Sequence, residues 1–515
     1  MNPPHEHEDA YEVLGVGFGP SNLALAIAIE EHNRAAAPGE AVKAAFVEKQ
    51  ECFGWHRGML LDDATMQVSF FKDLVTMRNP TSEFTFLCYL KSRNRLVEFI
   101  NQKTLFPLRI EFHDYFEWAA ARLGHCVNYS SEVVSIEPVL VDGEVAYFDV
   151  VHRDGDEPDR LVVRRARNVC VATGLESSMP VDAPMSERVW HNAELVPRVA
   201  QLLGTPLRRV MVVGAGQSAA EAVAYLHRSF PETEVCAVFA RYGYSPADDS
   251  PYANRIFDPE AVGVYFNAPP EVKRMLFDYH RNTNYSAVDL DVIDALYQQE
   301  YQERVQGRRR LRILNASRLR EVIPGPEGLE VGVEFLPTGV VTTLEVDLLV
   351  YATGYRPSDV GVLLGEADRL CLRDVNGELR VGRDYRVHME PGVSAGIYLQ
   401  GGTEHTHGIS ATLLSNTAVR AGEILESIVA NGRCAPAHLQ HYARNGEQRR
   451  PTPYPAALTH LRSAGEVDPA LSRFQPSWRA EVSGGDPRPG REAGRGVGPS
   501  DGARDDHLNP PPNPG

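Results

Sequence analysis

Gly15-Val16-Gly17-Phe18-Gly19-Pro20-Ser21-Asn22 joins a β-type run, Tyr11 to Gly15, to an apolar helical run, Ser21 to Glu31. Strand, glycine turn and helix in that order are the start of a dinucleotide-binding β-α-β unit. Gly15 permits the tight turn and Gly17 lets the backbone approach a pyrophosphate, which rests on the positive N-terminus of the helix. Gly19 completes the glycine set, and Pro20 stands where the usual fingerprint has its last glycine. Ala44 to Glu48 supplies the next strand, and Glu48 at its end is placed to accept hydrogen bonds from the ribose hydroxyls of an adenine nucleotide.

The pattern recurs about 200 residues on. Val210 to Val213 is a buried-strand candidate, Gly214-Ala215-Gly216-Gln217-Ser218-Ala219 is the turn, Ser218 to Arg228 the helix and Val235 to Ala240 the second strand. Arg241 follows where an NAD site would present an acid. A guanidinium there pairs with a 2′-phosphate, which points to NADPH over NADH; a solvated surface arginine is the other reading. Two such starts predict an α/β protein with two Rossmann-like dinucleotide-binding domains.

Val169 to Gly174 (VCVATG) and Leu348 to Gly354 (LLVYATG) are each an apolar strand closing on Ala-Thr-Gly, one before and one after the second unit. They predict two crossings, with the second domain inserted in the first and a substrate cleft between them. The expected boundaries are 1–205 for the first part of the first domain and 206–347 for the insert, including a substrate-contact segment 248–288. The first domain resumes over 348–465, with Gly396 to Leu399 and a helix from Ala411 to Leu425. A largely disordered tail is expected over 466–515, where Gly and Pro accumulate from Gly484 onward.

A chain of 515 residues has room for about three domains. Its net charge of −17 repels phosphate backbones and anionic lipid, which argues against nucleic acid as a partner. Leu23 to Ile29, the longest aliphatic run, falls far short of the roughly 20 residues of a membrane span, and Met1 to Asp9 lacks a basic leader. A soluble cytoplasmic protein is expected. The seven cysteines are scattered without a C-x-x-C pair, so neither zinc nor a disulfide framework is suggested. His113, His405 and His407 have no third ligand at fitting spacing and read as loop or packing residues rather than metal ligands.

Two nucleotide sites with different ribose chemistry imply a hydride relay from NADPH to a second acceptor, most simply a flavin. A disulfide reductase would need a redox cysteine pair beside that flavin; its absence favours an oxygenase.

The run Gln67 to Ser82 (QVSFFKDLVTMRNPTS), Phe84 to Leu87, and Phe106 to Tyr115 (FPLRIEFHDY) closely resemble the microbial L-ornithine N5-monooxygenases, flavin-dependent N-hydroxylating enzymes of siderophore biosynthesis. So do Asp248 to Asn254 (DDSPYAN), Asn282 to Ser286 (NTNYS), Ala352 to Tyr355 and His407 to Ser410 with Leu413 to Ser415. The resemblance runs in consistent order from Tyr11 to Leu425. It implies FAD in the first domain, NADPH in the insert and the amino acid between them. In such enzymes NADPH reduces the flavin, dioxygen adds at C4a to give a hydroperoxide, and the neutral side-chain amine takes the distal oxygen. The resemblance also implies a homo-oligomer, by family habit a tetramer.

Carried over residue by residue, the resemblance makes Lys72 the partner of the substrate carboxylate and Asn254 and Asn284 the substrate amides, with Lys72 and Asn284 central to catalysis. Ser415 becomes a further substrate contact, with a helix-start cap as its structural alternative. It places Gln67 near the isoalloxazine, Trp55 and His56 along the FAD, Val133 at the adenine, and Leu413, Thr353 and Tyr355 at the cofactors. Arg109 reaches the NADP, with Gln217 and Ser218 at the pyrophosphate turn. The segment from Arg241 to Asn254 is one residue shorter than the family pattern. Lysine N6-hydroxylation or diamine N-hydroxylation is the alternative within the family. A redox sensor or NADPH oxidase without amine oxygenation, and a ketone or sulfide oxygenase, are the alternatives outside it.

Overall fold

The computed structural model describes residues 10–155, 157, 159–180 and 185–432. The tail expected over 466–515, Cys434 and the end of the expected 348–465 segment lie outside the described residues.

The first sheet is built on β1 (Tyr11–Val16), which pairs in parallel with β2 (Ala44–Val47) and with β6 (Leu161–Val171). Its order is β3 (Val127–Asn128), β2, β1, β6, β5 (Glu144–Arg153), β4 (Val133–Val141). The 11-residue β6 serves two partners along one edge. Leu161 to Ala166 pairs antiparallel with β5, and Asn168 to Val171 pairs parallel with β17 (Gly396–Leu399). Alternation along β1 sets the layers. Val13 packs into the cluster containing the helix Pro20–Ala35, while Leu14 and Val16 face the opposite cluster with Phe148 and Leu364.

The second sheet is wholly parallel, in the order β11 (Leu311–Leu314), β10 (Glu234–Val238), β9 (Arg209–Val213), β15 (Leu348–Tyr351), β8 (Val189–His191). Along β9, Val210 and Val212 pack against Ala219, Val223 and Leu226 of the helix Gln217–Ser229. Met211 packs on the other face against Leu329, Val331 and Val333, which belong to the antiparallel sheet of β12 (Ser317–Pro324), β13 (Leu329–Phe335) and β14 (Val340–Val346).

One expectation is corrected. The reading that let the first domain resume at Leu348 and kept everything before 206 in its first part assigns β15 and β8 to the wrong sheet. Both are strands of the second sheet, because the apolar runs Leu348 to Tyr351 and Val189 to His191 pair with β9 and β15. The chain leaves the first sheet after β6 through β7 (Leu175–Ser177) and returns after β15 through β16 (Tyr355–Pro357), and these two short strands pair with each other.

The two Ala-Thr-Gly segments have a physical reason. Ala172 N–H donates to the Val16 carbonyl and Ala352 N–H to the Val213 carbonyl, both at 2.8 Å, so each Ala abuts one glycine turn. A Cβ on Gly17, whose φ is +82°, would lie 2.5 Å from the Ala172 carbonyl oxygen; one on Gly214, φ +145°, would lie 2.3 Å from that of Ala352.

Candidate active site

The first glycine turn is held from behind by polar groups. Phe18 N–H donates to Glu48 Oε2 at 2.7 Å and Gln50 N–H to Glu48 Oε1 at 2.9 Å. Glu48 is buried, and each carboxylate oxygen keeps a second lone pair for a ribose hydroxyl. Ser131 N–H bonds the Glu48 carbonyl at 2.8 Å, which brings the start of β4, and hence Val133, to the same end. The fully buried Asn22 donates to the carbonyls of Val16, Gly17 and Cys170 and accepts from Gln400. In front of the turn the space is open: a Cβ on Gly19, the residue before the helix Pro20–Ala35, would touch nothing within 4 Å. An open cradle at a helix N-terminus, with a ribose acceptor beside it, fits a dinucleotide.

Trp55 and His56 lie in the segment that follows β2. Trp55 N–H donates to His113 Nε2 at 3.3 Å and its ring meets Phe116 edge-on. His56 takes a left-handed backbone, φ 48°, and its ring stands 5.7 Å from that of Tyr355, whose hydroxyl accepts from Asn192. Desolvation and then Arg109 push the His56 imidazole below its ordinary value. Thr353 donates its hydroxyl to the Ser178 carbonyl and so serves the crossing between sheets.

At the second turn a Cβ on Gly216 would come no closer than 3.5 Å to Ser286. Arg241 Nη1 donates to Ser245 Oγ at 3.0 Å and to the Ser286 carbonyl at 2.9 Å, which holds the guanidinium beside this turn. Ser218 sits in the first turn of the helix Gln217–Ser229. Arg109 clasps Glu221 of the same helix through both ends, at 2.9 and 2.8 Å, and also donates to the Met59 carbonyl. A segment of the first sheet's layer is thereby fastened to the second glycine turn. Glu221 carried no motif signal in the sequence.

Lys72 lies in the loop after Gln67, its Nζ 5.8 Å from the centre of the Phe257 ring. Phe257 ends the short helix Ala253–Phe257 that carries Asn254. The helix Pro270–Asn284, which ends on Asn284, touches both that segment and the turn Ile409–Thr412. Lys72 thus meets the short helix that carries Asn254, and the helix that ends on Asn284 packs against that same short helix, with the half-buried Leu413 and the buried Ser415 just beyond the Ile409–Thr412 turn. Asn254 Nδ2 bonds the Asp249 carbonyl at 2.7 Å. Burial lowers the Lys72 ammonium, with Asp258 acting against it. A cation already stripped of part of its water binds a carboxylate more strongly than a fully solvated one.

The three histidines have other partners. His407 stacks on Tyr385 at 4.0 Å, His405 bonds the Leu379 carbonyl, and His113 accepts from Trp55. Among the described residues no group of three His, Cys, Asp or Glu could hold a metal, and no helix is long and apolar enough to cross a membrane.

A sequence model described as L-lysine 6-monooxygenase/L-ornithine 5-monooxygenase matches residues 9–357. The chain is 40% identical to the L-ornithine N(5)-monooxygenase of Burkholderia cepacia over 409 residues, 78% of this chain and 91% of that protein. Among solved structures, the ornithine N-hydroxylase of Kutzneria sp. 744, solved with reduced FAD, NADP+ and L-ornithine, is 45% identical. It superposes with a TM-score of 0.78 over 82% of this chain and 100% of its own. The ornithine hydroxylase of Pseudomonas aeruginosa is 33% identical with a TM-score of 0.76, over 82% and 99%.

Proposed function

The chain belongs to the L-lysine 6-monooxygenase/L-ornithine 5-monooxygenase family, and from that premise we propose that it hydroxylates N5 of L-ornithine, using NADPH, dioxygen and FAD. The product, N5-hydroxy-L-ornithine, suits hydroxamate siderophore synthesis, and the enzyme acts in the cytoplasm as a homo-oligomer, a tetramer on the family pattern. FAD takes the first glycine turn with Gly15, Gly17, Gly19, Glu48, Trp55, His56, Gln67, Val133 and Leu413. NADPH takes the second, with Gly214, Gly216, Gln217, Ser218, Arg241 and Arg109. Bound flavin, reduced by the nicotinamide, supplies the activation of dioxygen.

The chain's own residues bind, orient and exclude water. Lys72 takes the substrate carboxylate and thereby sets how far into the cleft the side-chain amine reaches. Asn254 and Asn284 orient the polar ends without placing a fixed charge beside the amine, which must be neutral to react. Ser415 closes the cleft from the side of the helix Thr417–Gly432.

The observation that carries this reading is the half-buried Lys72 facing the segment of Asn254. It favours an amino acid over a diamine, which has no carboxylate to offer. Lysine differs from ornithine by one methylene, worth about 1–3 kcal/mol of discrimination. The test is an aerobic assay of holoenzyme with NADPH, measuring hydroxylamine and hydrogen peroxide separately for L-ornithine, L-lysine and putrescine. Hydroxylamine from ornithine with little peroxide is expected; peroxide alone for every amine overturns the substrate. Lys72→Ala abolishes most ornithine hydroxylation and leaves NADPH-driven flavin reduction largely intact, and equal loss of both removes the role given to Lys72.

A further inference from the structure

Asp289 stands at the N-cap of the helix Leu290–Gln306, yet its side chain makes no capping hydrogen bond. An aspartate there ordinarily bonds the free N–H groups of its own first turn. This one is spent on two glutamines from opposite sides of the site. Oδ1 accepts from Gln67 Nε2 and Oδ2 from Gln217 Nε2, both at 3.1 Å, while the Asp289 N–H donates back to Gln217 Oε1 at 2.8 Å. Gln217 Nε2 also reaches Glu221 Oε1 at 2.9 Å, and Glu221 holds Arg109.

A carboxylate only accepts, and a primary amide has one donating and one accepting end. Asp289 therefore decides which way both amides face: each turns its NH2 toward the carboxylate. The carbonyl of Gln67 is directed away from Asp289, and Gln217 is locked by a reciprocal pair. A neutral amide at 289 could not accept from both glutamines in this way, because it offers one carbonyl oxygen and adds two donors.

We infer that Asp289 is a positioning residue that orients Gln67 and Gln217 together and so fixes the NADP-side turn against the flavin-side segment. This rests on the cofactor assignment proposed above. Its consequence is that NADP+ stays seated while the oxygen chemistry runs, which keeps NADPH consumption tied to hydroxylation. A purely structural Asp289 would matter only for the start of its helix.

The experiment compares wild-type holoenzyme with Asp289→Asn and Asp289→Ser. Serine offers a side chain able to cap the helix but is too short to hold both amides. NADP+ affinity is titrated by calorimetry without ornithine, peroxide per NADPH is measured with ornithine, and thermal unfolding is followed in parallel. Both variants are expected to weaken NADP+ about tenfold, the scale of losing hydrogen bonds to a charged group, and to raise the peroxide fraction, with the apparent KM for ornithine moving less than about twofold. In a double-mutant cycle with Gln67→Leu the losses are expected not to add. Unchanged NADP+ affinity and peroxide fraction in folded Asp289→Ser, or additive losses, would overturn the inference. Failure of wild type to hydroxylate ornithine would strike the proposed substrate alone, since the NADP+ titration does not depend on ornithine.

Discussion

At the scale of single residues, the loop that presents Lys72 is held by the side chain next to it. Asp73 is buried and accepts from Val75 N–H, Thr76 N–H, the Thr76 hydroxyl and Phe86 N–H, at 2.6 to 2.9 Å. Burial pushes its carboxyl up, against the pull of these four donors. Asp73→Asn replaces an all-acceptor group by one with a single carbonyl oxygen and leaves buried donors unpaired, at about 1–3 kcal/mol each. A lower urea midpoint is expected together with a raised KM for ornithine and a less affected rate of flavin reduction. A changed midpoint with unchanged KM would confine Asp73 to folding. Asp73 was visible in the sequence only as part of a matched run. Arg420, buried and bonded to the Ala411 carbonyl, Ser21, Thr417 and Gln400, gave no signal at all, since burial of a charge is fixed by tertiary neighbours rather than by pattern.

At the scale of elements, both glycine turns were legible because the backbone itself requires glycine there. Gly17 combines a left-handed φ with the Ala172 carbonyl 2.5 Å from any added Cβ, whereas Gly19 has φ −77° and open space. Gly17→Ala is therefore expected to destabilise the fold by several kcal/mol, from backbone strain of about 1–3 kcal/mol plus the clash. Gly19→Ala is expected to fold with a nearly unchanged urea midpoint while binding FAD more weakly, because its methyl group enters the cradle; equal FAD affinity in that variant would place the pyrophosphate elsewhere. Strand membership was less legible. Leu348 to Tyr351 is an apolar run that either sheet could take, and only its registry beside β9 assigns it. The Ala-Thr-Gly signal marked the crossings while leaving open on which side of each crossing the strand lies. The Lys72, Asn254 and Asn284 stretches were legible through matched runs alone, because Lys72 lies 182 residues before Asn254 and 212 before Asn284 along the chain.

Across the whole molecule, one population of side chains sets the response to acid. His113, His152, His191, His227 and His407 are all buried, and desolvation holds each imidazole below its ordinary value, His407 down to about 3. In the unfolded chain these rings take up protons near pH 6.5. Below that pH the unfolded state binds more protons than the folded one, so stability falls as pH falls. Each pH unit over which one ring stays neutral in the fold costs about 1.4 kcal/mol. Glu303, which accepts from His227 and from the backbone of Arg310 and Leu311, has a lowered carboxyl and adds its own loss below about 4.5. The raised carboxyls of Asp73, Glu111 and Asp289 act the other way, while the lowered imidazoles of His56 and His280 add to the loss. The holoenzyme is therefore expected to lose stability as pH falls from 7 to 5, through the range in which the unfolded rings take up protons. Urea midpoints measured across that range check this directly. A flat profile would mean that the buried rings are protonated in place and find acceptors inside the fold.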